Sequence, residues 1–269
     1  MPNRIDTTFE RLKANKAPAF IPFLTAGDPD LQTTEHIILG AQKAGADLIE
    51  LGFPFSDPVA DGATIQASYT RVLAAGQRVE DVFRLVESLR RHTDMPIVAM
   101  ISYSLVFRMG FPAFLARACE AGLDGATIPD LPAEEMQPFC SLSEGSGFHL
   151  VCFVTPATTK RRRAMVLSLA KGFIYYISVR GITGERDTVP SDLMENLRQL
   201  KALSDLPVAV GFGISQPAQA RAVAQLADGV IVGSAIVKRI HEAHLKGEDP
   251  IREAVDFMAE MARATKGRL

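Results

Sequence analysis

Two acidic residues offer the first chemistry in this chain. In Asp47-Leu48-Ile49-Glu50-Leu51-Gly52 a glutamate interrupts an apolar run, and after the turn residues Pro54, Ser56 and Pro58 a second carboxylate follows in Asp61-Gly62. With the period of two of a β-strand, Leu48 and Glu50 share one face and Ile49 and Leu51 the other. Glu50 therefore stands where a core side chain belongs, at the C-terminal end of its strand. An unpaired carboxylate buried there costs on the order of several kcal/mol, so the site must use it. Its competing reading is a structural ion pair, and that of Asp61 is a turn carboxylate preceding Gly62.

Glycine-rich turns supply a second chemistry. Gly211-Phe212-Gly213-Ile214-Ser215 and Gly233-Ser234-Ala235-Ile236-Val237 each follow a short apolar run. Such turns bring backbone N–H groups close to a ligand, and the positive end of a helix dipole there favours a phosphate dianion. Ser234 is placed at the N-cap position. A lone Gly-x-Gly reads as a tight turn, whereas the two together read as a phosphate site. A third segment, Arg180-Gly181-Ile182-Thr183-Gly184-Glu185-Arg186, is long enough to act as a lid, its other reading being a mobile surface loop. Tyr175 shares the parity of Phe173 and Ile177, which aims its phenol at the same region or makes it an ordinary filling aromatic.

Eight short apolar runs carry these residues: Ala19–Leu24, Leu48–Leu51, Pro96–Ile101, Gly125–Ile128, Leu150–Val154, Phe173–Ser178, Val208–Gly211 and Gly229–Val232. Helix-period segments lie between them, among them Leu31–Ala44, the Val79, Val82, Phe83, Val86, Leu89 stripe, Pro112–Ala121, Ala164–Ala170, Ser191–Leu203 and Pro217–Leu226. Eight alternations in 269 residues predict an α/β fold, a single (βα)8 barrel domain over 1–269, with an extra N-terminal helix carrying Ile5, Phe9 and Leu12 beneath it. In such a barrel the chemistry lies at the C-terminal ends of the strands, where Glu50, Asp61, Phe23, Met100, Tyr175 and the two glycine turns fall.

The remaining composition narrows the field. A net charge of −2 gives no global pull toward nucleic acid or an anionic membrane, and Lys160-Arg161-Arg162-Arg163, lacking interleaved aromatics, reads as a solvated helix start. Cys119, Cys140 and Cys152 are odd in number and widely spaced, which fits reduced thiols and a cytoplasmic protein. The five histidines fall away from the expected catalytic face, no zinc signature surrounds His241 and His244, and no lysine ends a strand. No metal and no Schiff base is therefore expected.

Along nearly its whole length the chain resembles the tryptophan synthase alpha-subunit family. The resemblance rests on Ile21-Pro22-Phe23-Leu24-Thr25-Ala26-Gly27-Asp28-Pro29, on Glu50 through Gly62, on Pro129-Asp130-Leu131-Pro132, on Tyr175, Ser178, Gly181 and Thr183-Gly184, and on the two glycine turns. It implies a lyase of tryptophan biosynthesis that cleaves indole-3-glycerol phosphate to indole and glyceraldehyde 3-phosphate without a cofactor of its own. Indole would pass to a beta subunit carrying pyridoxal phosphate, in an alpha2beta2 heterotetramer. By the same resemblance Glu50 is the acid–base residue and Asp61 accepts the indole N–H. Gly184, Gly213, Gly233 and Ser234 hold the phosphate, and Phe23, Met100, Tyr175 and Phe212 line the pocket. Thr183 bridges to Asp61 on lid closure, and Pro54, Asp57, Asp130, Pro132 and the segment after Tyr175 face the partner.

One stretch departs from the family pattern. Where a Tyr-Tyr-Asn or Tyr-Ala-Asn run is usual, this chain reads Ile101-Ser102-Tyr103-Ser104-Leu105. Aligned on Leu105-Val106-Phe107, Ser102 takes the place of a pocket tyrosine and Ser104 that of the asparagine; shifted by one, Tyr103 fills the same space. Three other readings remain at this level: a stand-alone indole-3-glycerol phosphate lyase, another phosphate-binding barrel, and a non-catalytic activating module of the beta subunit.

Overall fold

Eight parallel strands close on themselves in sequence order: β1 (Ala19–Thr25), β2 (Ile49–Gly52), β3 (Ile97–Met100), β4 (Gly125–Thr127), β5 (His149–Val154), β6 (Ile174–Ile177), β7 (Val208–Gly211) and β8 (Gly229–Val232), with β8 pairing back onto β1. The computed structural model describes residues 3–178, 191–211 and 213–267. Each strand lies within a residue or two of its predicted run. Helix α1 (Arg4–Ala14) precedes the barrel. Around it run α2 (Leu31–Ala44), α3 (Ala63–Ala74), α4 (Val79–Arg90), α5 (Tyr103–Met109), α6 (Phe111–Ala121), α7 (Ala133–Ser143), α8 (Lys160–Leu169), α9 (Ser191–Leu203), α10 (Pro217–Ala224), α11 (Ser234–Lys246) and α12 (Pro250–Thr265). No helix among the described residues is long and apolar enough to cross a membrane.

The ends of these helices follow local rules. Asp30 caps α2 by accepting a hydrogen bond from Thr33 N, and Gly45 stops the helix in the left-handed region at φ 102°. The basic run Lys160-Arg161-Arg162-Arg163 opens α8, with Thr159 as its cap, as the sequence predicts.

Strand parity sorts the core into two. Outward-facing residues such as Leu24, Ile49, Leu51, Ile97, Ala126, Ile174 and Val210 pack against the helices. Inward-facing Ile21, Leu48, Val98, Val151, Phe173, Ala209 and Ile231 fill the barrel's lower interior, where Ile5, Phe9 and Leu12 of α1 close it from beneath. The Phe9 and Phe173 rings lie 5.5 Å apart. Burying those three side chains of α1 contributes ~2 kcal/mol each. Helix α1 is also pinned by polar bonds, from Asn3 Nδ2 to Asp124 O at 2.7 Å and between His149 Nε2 and Asp6 Oδ2 at 2.7 Å.

A short device recurs at this lower rim although the sequence shows no internal repeat. Asp47, Asp124 and Asp228 each stand just before an even-numbered strand and accept the N–H of the preceding strand. The donors are Phe20 N at 3.0 Å, Ile97 N at 2.8 Å and Val208 N at 2.9 Å. Each carboxylate also meets cations: Lys266 and Arg11 at Asp47, Arg4 and Arg90 at Asp124, and Lys201 at Asp228.

Candidate active site

At the opposite, C-terminal rim the interior turns from apolar to polar. Glu50, one strand step above Leu48, has its Cα paired with those of Phe23 and Val98 and is only 2% exposed. Its inward direction, read from parity, is what the barrel shows. Thr127 Oγ1 donates to Glu50 Oε1 at 2.9 Å, and Tyr175 Oη to Glu50 Oε2 at 3.4 Å. No cation pairs with Glu50 among the described residues. Burial pushes the Glu50 carboxyl up from its ordinary 4.5 to about 7; the Thr127 hydrogen bond opposes the rise, the Asp61 charge adds to it, and the Tyr175 bond opposes it.

Asp61 sits in the loop after β2, its N–H closing a turn onto Pro58 O at 3.0 Å, one residue before Gly62 caps α3. Burial and then the charge of Asp130 raise it from 3.8 to about 6. A small pocket opens beside it, lined by Phe53, Asp57, Val59, Tyr69, Met100, Ser102 and Asp130, among others. Phe23, Met100, Tyr69 and Val237 form one apolar cluster at this level, so the structure brings together Phe23 and Met100 as predicted.

Tyr175 is packed against Phe153, with ring centroids 4.8 Å apart and the rings tilted by 43°. Burial, and next the Glu50 charge, hold its phenol well above the ordinary 10.0. Gly211 makes room for that ring: a Cβ there would fall 2.8 Å from Tyr175 Cε1 and Oη. The need for glycine at this position comes from the tyrosine as well as from any ligand. Gly213 takes φ 74°, a left-handed turn that favours glycine.

At the start of α11 one expectation is corrected. Gly233, with φ −117° and ψ −85°, is the N-cap, and Ser234 is the first helical residue, with no side-chain cap bond. The strand ends one residue short of where serine would take the cap. The first helical bonds run from Ile236 N and Val237 N to Gly233 O, which places the N–H groups of Ser234 and Ala235 ahead of the ladder, facing the barrel's upper rim. The predicted residues Thr183, Gly184 and Phe212 lie outside the described residues, as does the Arg180–Arg186 segment.

The departure after β3 resolves in favour of serine. Ser102 lines the pocket, caps α5 by accepting from Ser104 N at 3.2 Å, and donates to Asp130 Oδ2 at 2.7 Å. Tyr103 instead stacks with Phe107 and Phe111, at 5.7 and 6.1 Å, and its N–H is bonded to Asp130 Oδ1 at 2.7 Å.

Two mouth residues escape sequence reasoning. Thr127 ends the three-residue strand β4. Tyr69 of α3 is 2% exposed, with its phenol raised well above 10.0 by burial and then by the charges of Asp61 and Glu50. The signal for Thr127 is a hydroxyl at an inward strand-end position. For Tyr69 it is the apolar spacing with Ile65 and Val72. Helix α3 is held in place by the Thr25 Oγ1 to Ser68 Oγ contact at 2.7 Å and by Arg71, which donates to both Asp28 oxygens at 3.2 and 2.6 Å.

A closed eight-stranded α/β barrel with a buried carboxylate at its mouth, a second carboxylate in the loop beyond, and glycine turns after β7 and β8 defines the class: a barrel equipped for acid–base chemistry on an anionic small molecule. The sequence model of the family described as tryptophan synthase alpha chain matches residues 9–266. The chain is 47% identical over 239 residues to the tryptophan synthase alpha chain of Geotalea daltonii, covering 89% of this chain and 90% of that one. A crystal structure of tryptophan synthase subunit alpha from Legionella pneumophila str. Paris superposes with a TM-score of 0.92 at 35% identity, covering 99% of this chain and all of that one. A structure from the hyperthermophile Pyrococcus furiosus, described as the structural basis of mutual activation of the tryptophan synthase α2β2 complex, does so at 0.82 and 38% identity, over 93% and 98% of the two chains. This chain belongs to the tryptophan synthase alpha chain family.

Proposed function

We propose that the chain cleaves indole-3-glycerol phosphate to indole and glyceraldehyde 3-phosphate and hands the indole to a beta subunit. The observation that carries this reading is Glu50, sealed at the barrel mouth with no cation beside it among the described residues and titrating near neutrality, about 7. A retro-aldol cleavage of this substrate adds a proton to indole C3 and removes one from the hydroxyl on the carbon being released. The C–C electron pair returns to the indole ring, and the former alcohol leaves as an aldehyde. The net change is one proton moved from oxygen to carbon, so a single group that both gives and takes a proton suffices, and such a group works best when its pKa lies near the working pH.

Protonation at C3 puts positive charge on the indole nitrogen. Asp61, titrating about a unit lower at about 6, is ionised when Glu50 is half protonated, and it is the group that accepts the indole N–H and stabilises that charge. The Ser234 and Ala235 N–H groups, with Gly213 and Gly233 giving close approach, hold the phosphate. Phe23, Met100 and Tyr175 enclose the indole and glycerol parts, and Gly184, Thr183 and Phe212 complete the site in this reading. The chain needs no cofactor for these steps; pyridoxal phosphate belongs to the beta subunit.

For the partner, the catalytic rim offers an apolar surface. Val59, in the loop after β2, is 75% exposed, and Phe107, on the helix after β3, is 69% exposed. Val59 shares a pocket lining with Asp57 and Asp130, residues placed toward the partner by family resemblance, and the relative from Pyrococcus furiosus is described as an α2β2 complex. Indole release from indole-3-glycerol phosphate by the purified chain and its Glu50→Gln variant, each with and without a beta subunit, tests the proposal. Glu50-dependent release accelerated by the partner is expected. Fast release indifferent to the partner makes the chain a free-standing lyase, and release that does not depend on Glu50 overturns the assignment.

A further inference from the structure

Thr127 is the one hydroxyl-bearing side chain within 3.0 Å of Glu50 among the described residues, and it is wholly buried. It ends the shortest strand of the barrel, its Cα registered between Met100 of β3 and Val151 of β5, where apolar side chains fill the interior on either side. Its Oγ1 lies 2.9 Å from Glu50 Oε1 and 3.3 Å from Ala99 O, so a single hydroxyl hydrogen faces two acceptors. A threonine hydroxyl has one hydrogen to give and two lone pairs to offer. Toward an ionised Glu50 it donates, in a charge-assisted bond. Toward a protonated Glu50 it accepts the carboxyl O–H while its own hydrogen turns to Ala99 O.

We propose that Thr127 is the positioning residue of the acid–base carboxylate: its hydroxyl hydrogen alternates between Glu50 and the Ala99 carbonyl as Glu50 loses and gains a proton, so Glu50 works in both directions from one rotamer. No proton leaves Thr127 in either state; its O–H bond rotates and is not broken. Branching at Cβ limits the side chain to few rotamers, which keeps Oγ1 on the line between its two partners. The other donor to Glu50, Tyr175, is at 3.4 Å and bonds the opposite oxygen, so it leaves Oε1 to Thr127. This inference rests on Glu50 being the acid–base group.

The groups facing Glu50 from the surrounding elements are Asp61 in the loop after β2, Tyr69 on α3 and Tyr175 on β6. Both phenols are held well above 10.0, so below pH 9, among the described residues facing Glu50, only Asp61, at about 6, shares the titration range. Thr127 acts against burial by favouring the charged form. Its removal must therefore move the titration of Glu50 upward.

The test compares Thr127→Val, which keeps the shape and loses the hydroxyl, with Thr127→Ser, which keeps the hydroxyl, in the full chain with its beta subunit. Indole release is followed from pH 5.5 to 9, and the carboxyl stretch of protonated Glu50 is titrated by difference infrared spectroscopy against Glu50→Gln. Expected for valine are a kcat at neutral pH lower by about 10-fold, the loss of one hydrogen bond to a charged group, a KM within about twofold, and the infrared titration of Glu50 moved up by about one pH unit, while the acidic limb set by Asp61 stays in place. Serine is expected to restore the parent's infrared titration and kcat. If Glu50→Gln abolishes release while the valine variant keeps the parent's profile and infrared titration, Thr127 does not position Glu50. If serine fails like valine, the role is packing and the inference is likewise overturned. If Glu50→Gln retains release, the catalytic reading itself has failed, whereas the infrared titration still decides whether Thr127 governs the Glu50 proton. Thr127→Ala, which adds no apolar branch beside the carboxylate, is carried in parallel should valine not fold, with the same expected shifts.

Discussion

Replacing Glu50 with glutamine should strengthen the fold at alkaline pH while abolishing cleavage. The carboxyl titrates at 4.5 in an unfolded chain and at about 7 in the barrel, which corresponds to about 3 kcal/mol of destabilisation once the native state must carry the charge. The sign follows from proton counts. Between pH 4.5 and 7 the unfolded chain has released this proton and the native state has kept it, so native stability falls by up to about 1.4 kcal/mol per pH unit and levels off above 7. Below 4.5 both states are protonated and the penalty vanishes. Glutamine has the same shape, still accepts from Thr127 Oγ1, and carries no such penalty. Its advantage over the parent should therefore be near zero at pH 4.5 and approach ~3 kcal/mol at pH 8, less the weaker bond to a neutral acceptor, a rise in Tm of about 5–10 °C. Thermal and urea unfolding followed by far-ultraviolet circular dichroism at pH 4.5, 6, 7 and 8 measures the difference, and titrating groups not coupled to Glu50 cancel between the two proteins, Asp61 being the coupled one. An offset that does not grow between pH 5 and 8, or a glutamine variant less stable than the parent at pH 8, refutes the claim that burial of a charge at this site is what raises its pKa.

Asp61→Asn keeps the loop turn and removes the negative charge; kcat should fall at least ~100-fold with a smaller effect on KM, and in the parent release should decline as the pH drops through about 6. Gly211→Ala puts a methyl 2.8 Å from the Tyr175 ring, so a loss of about 1–3 kcal/mol is expected in urea unfolding, together with reduced release as the ring is displaced from Glu50. Asp124→Ala leaves Arg90, only 12% exposed, without its carboxylate and Ile97 N without an acceptor; about 3–5 kcal/mol should be lost, with KM for the folded enzyme near that of the parent. Phe107→Asp should weaken association with a beta subunit in analytical ultracentrifugation while leaving unassisted indole release within about twofold.

The barrel was legible because its strands are short, uniformly apolar and regularly spaced, and because parity alone directs Glu50 and Phe173 inward. Helix α3 left a weaker trace, since its buried face includes Ser68 and Tyr69 as well as Val72, and a polar residue in the stripe blurs the periodicity. Thr127 is hidden for a different reason: β4 is three residues long, Gly125-Ala126-Thr127, so the inward hydroxyl at its end follows only small residues and stands out little. The Ser234 cap was displaced by one residue because a Gly-Ser pair fits either register at a strand-to-helix turn, and only backbone angles separate them. Between Ser102 and Tyr103 the sequence offered two equal candidates for one space. The choice is made by Asp130, which draws the serine hydroxyl and the Tyr103 N–H onto its two oxygens and turns the phenol toward Phe107 and Phe111.

The aspartates at the lower rim divide the molecule's labour along its axis. Asp47, Asp124 and Asp228 each fasten an even strand to its predecessor, making cassettes of β1 with β2, β3 with β4, and β7 with β8. The fastening lies at the end of each strand farthest from Glu50 and the glycine turns. Loops at the catalytic rim are thus free to lengthen, shorten or change sequence during evolution without disturbing the joints that close the ring. Three of the four strand pairs also carry their own local fastener, so a duplicated or transplanted pair would bring its joint with it. The pair β5 and β6, which has Lys171 and Gly172 before its second strand where the others have aspartate, is the seam at which such a cassette architecture is weakest.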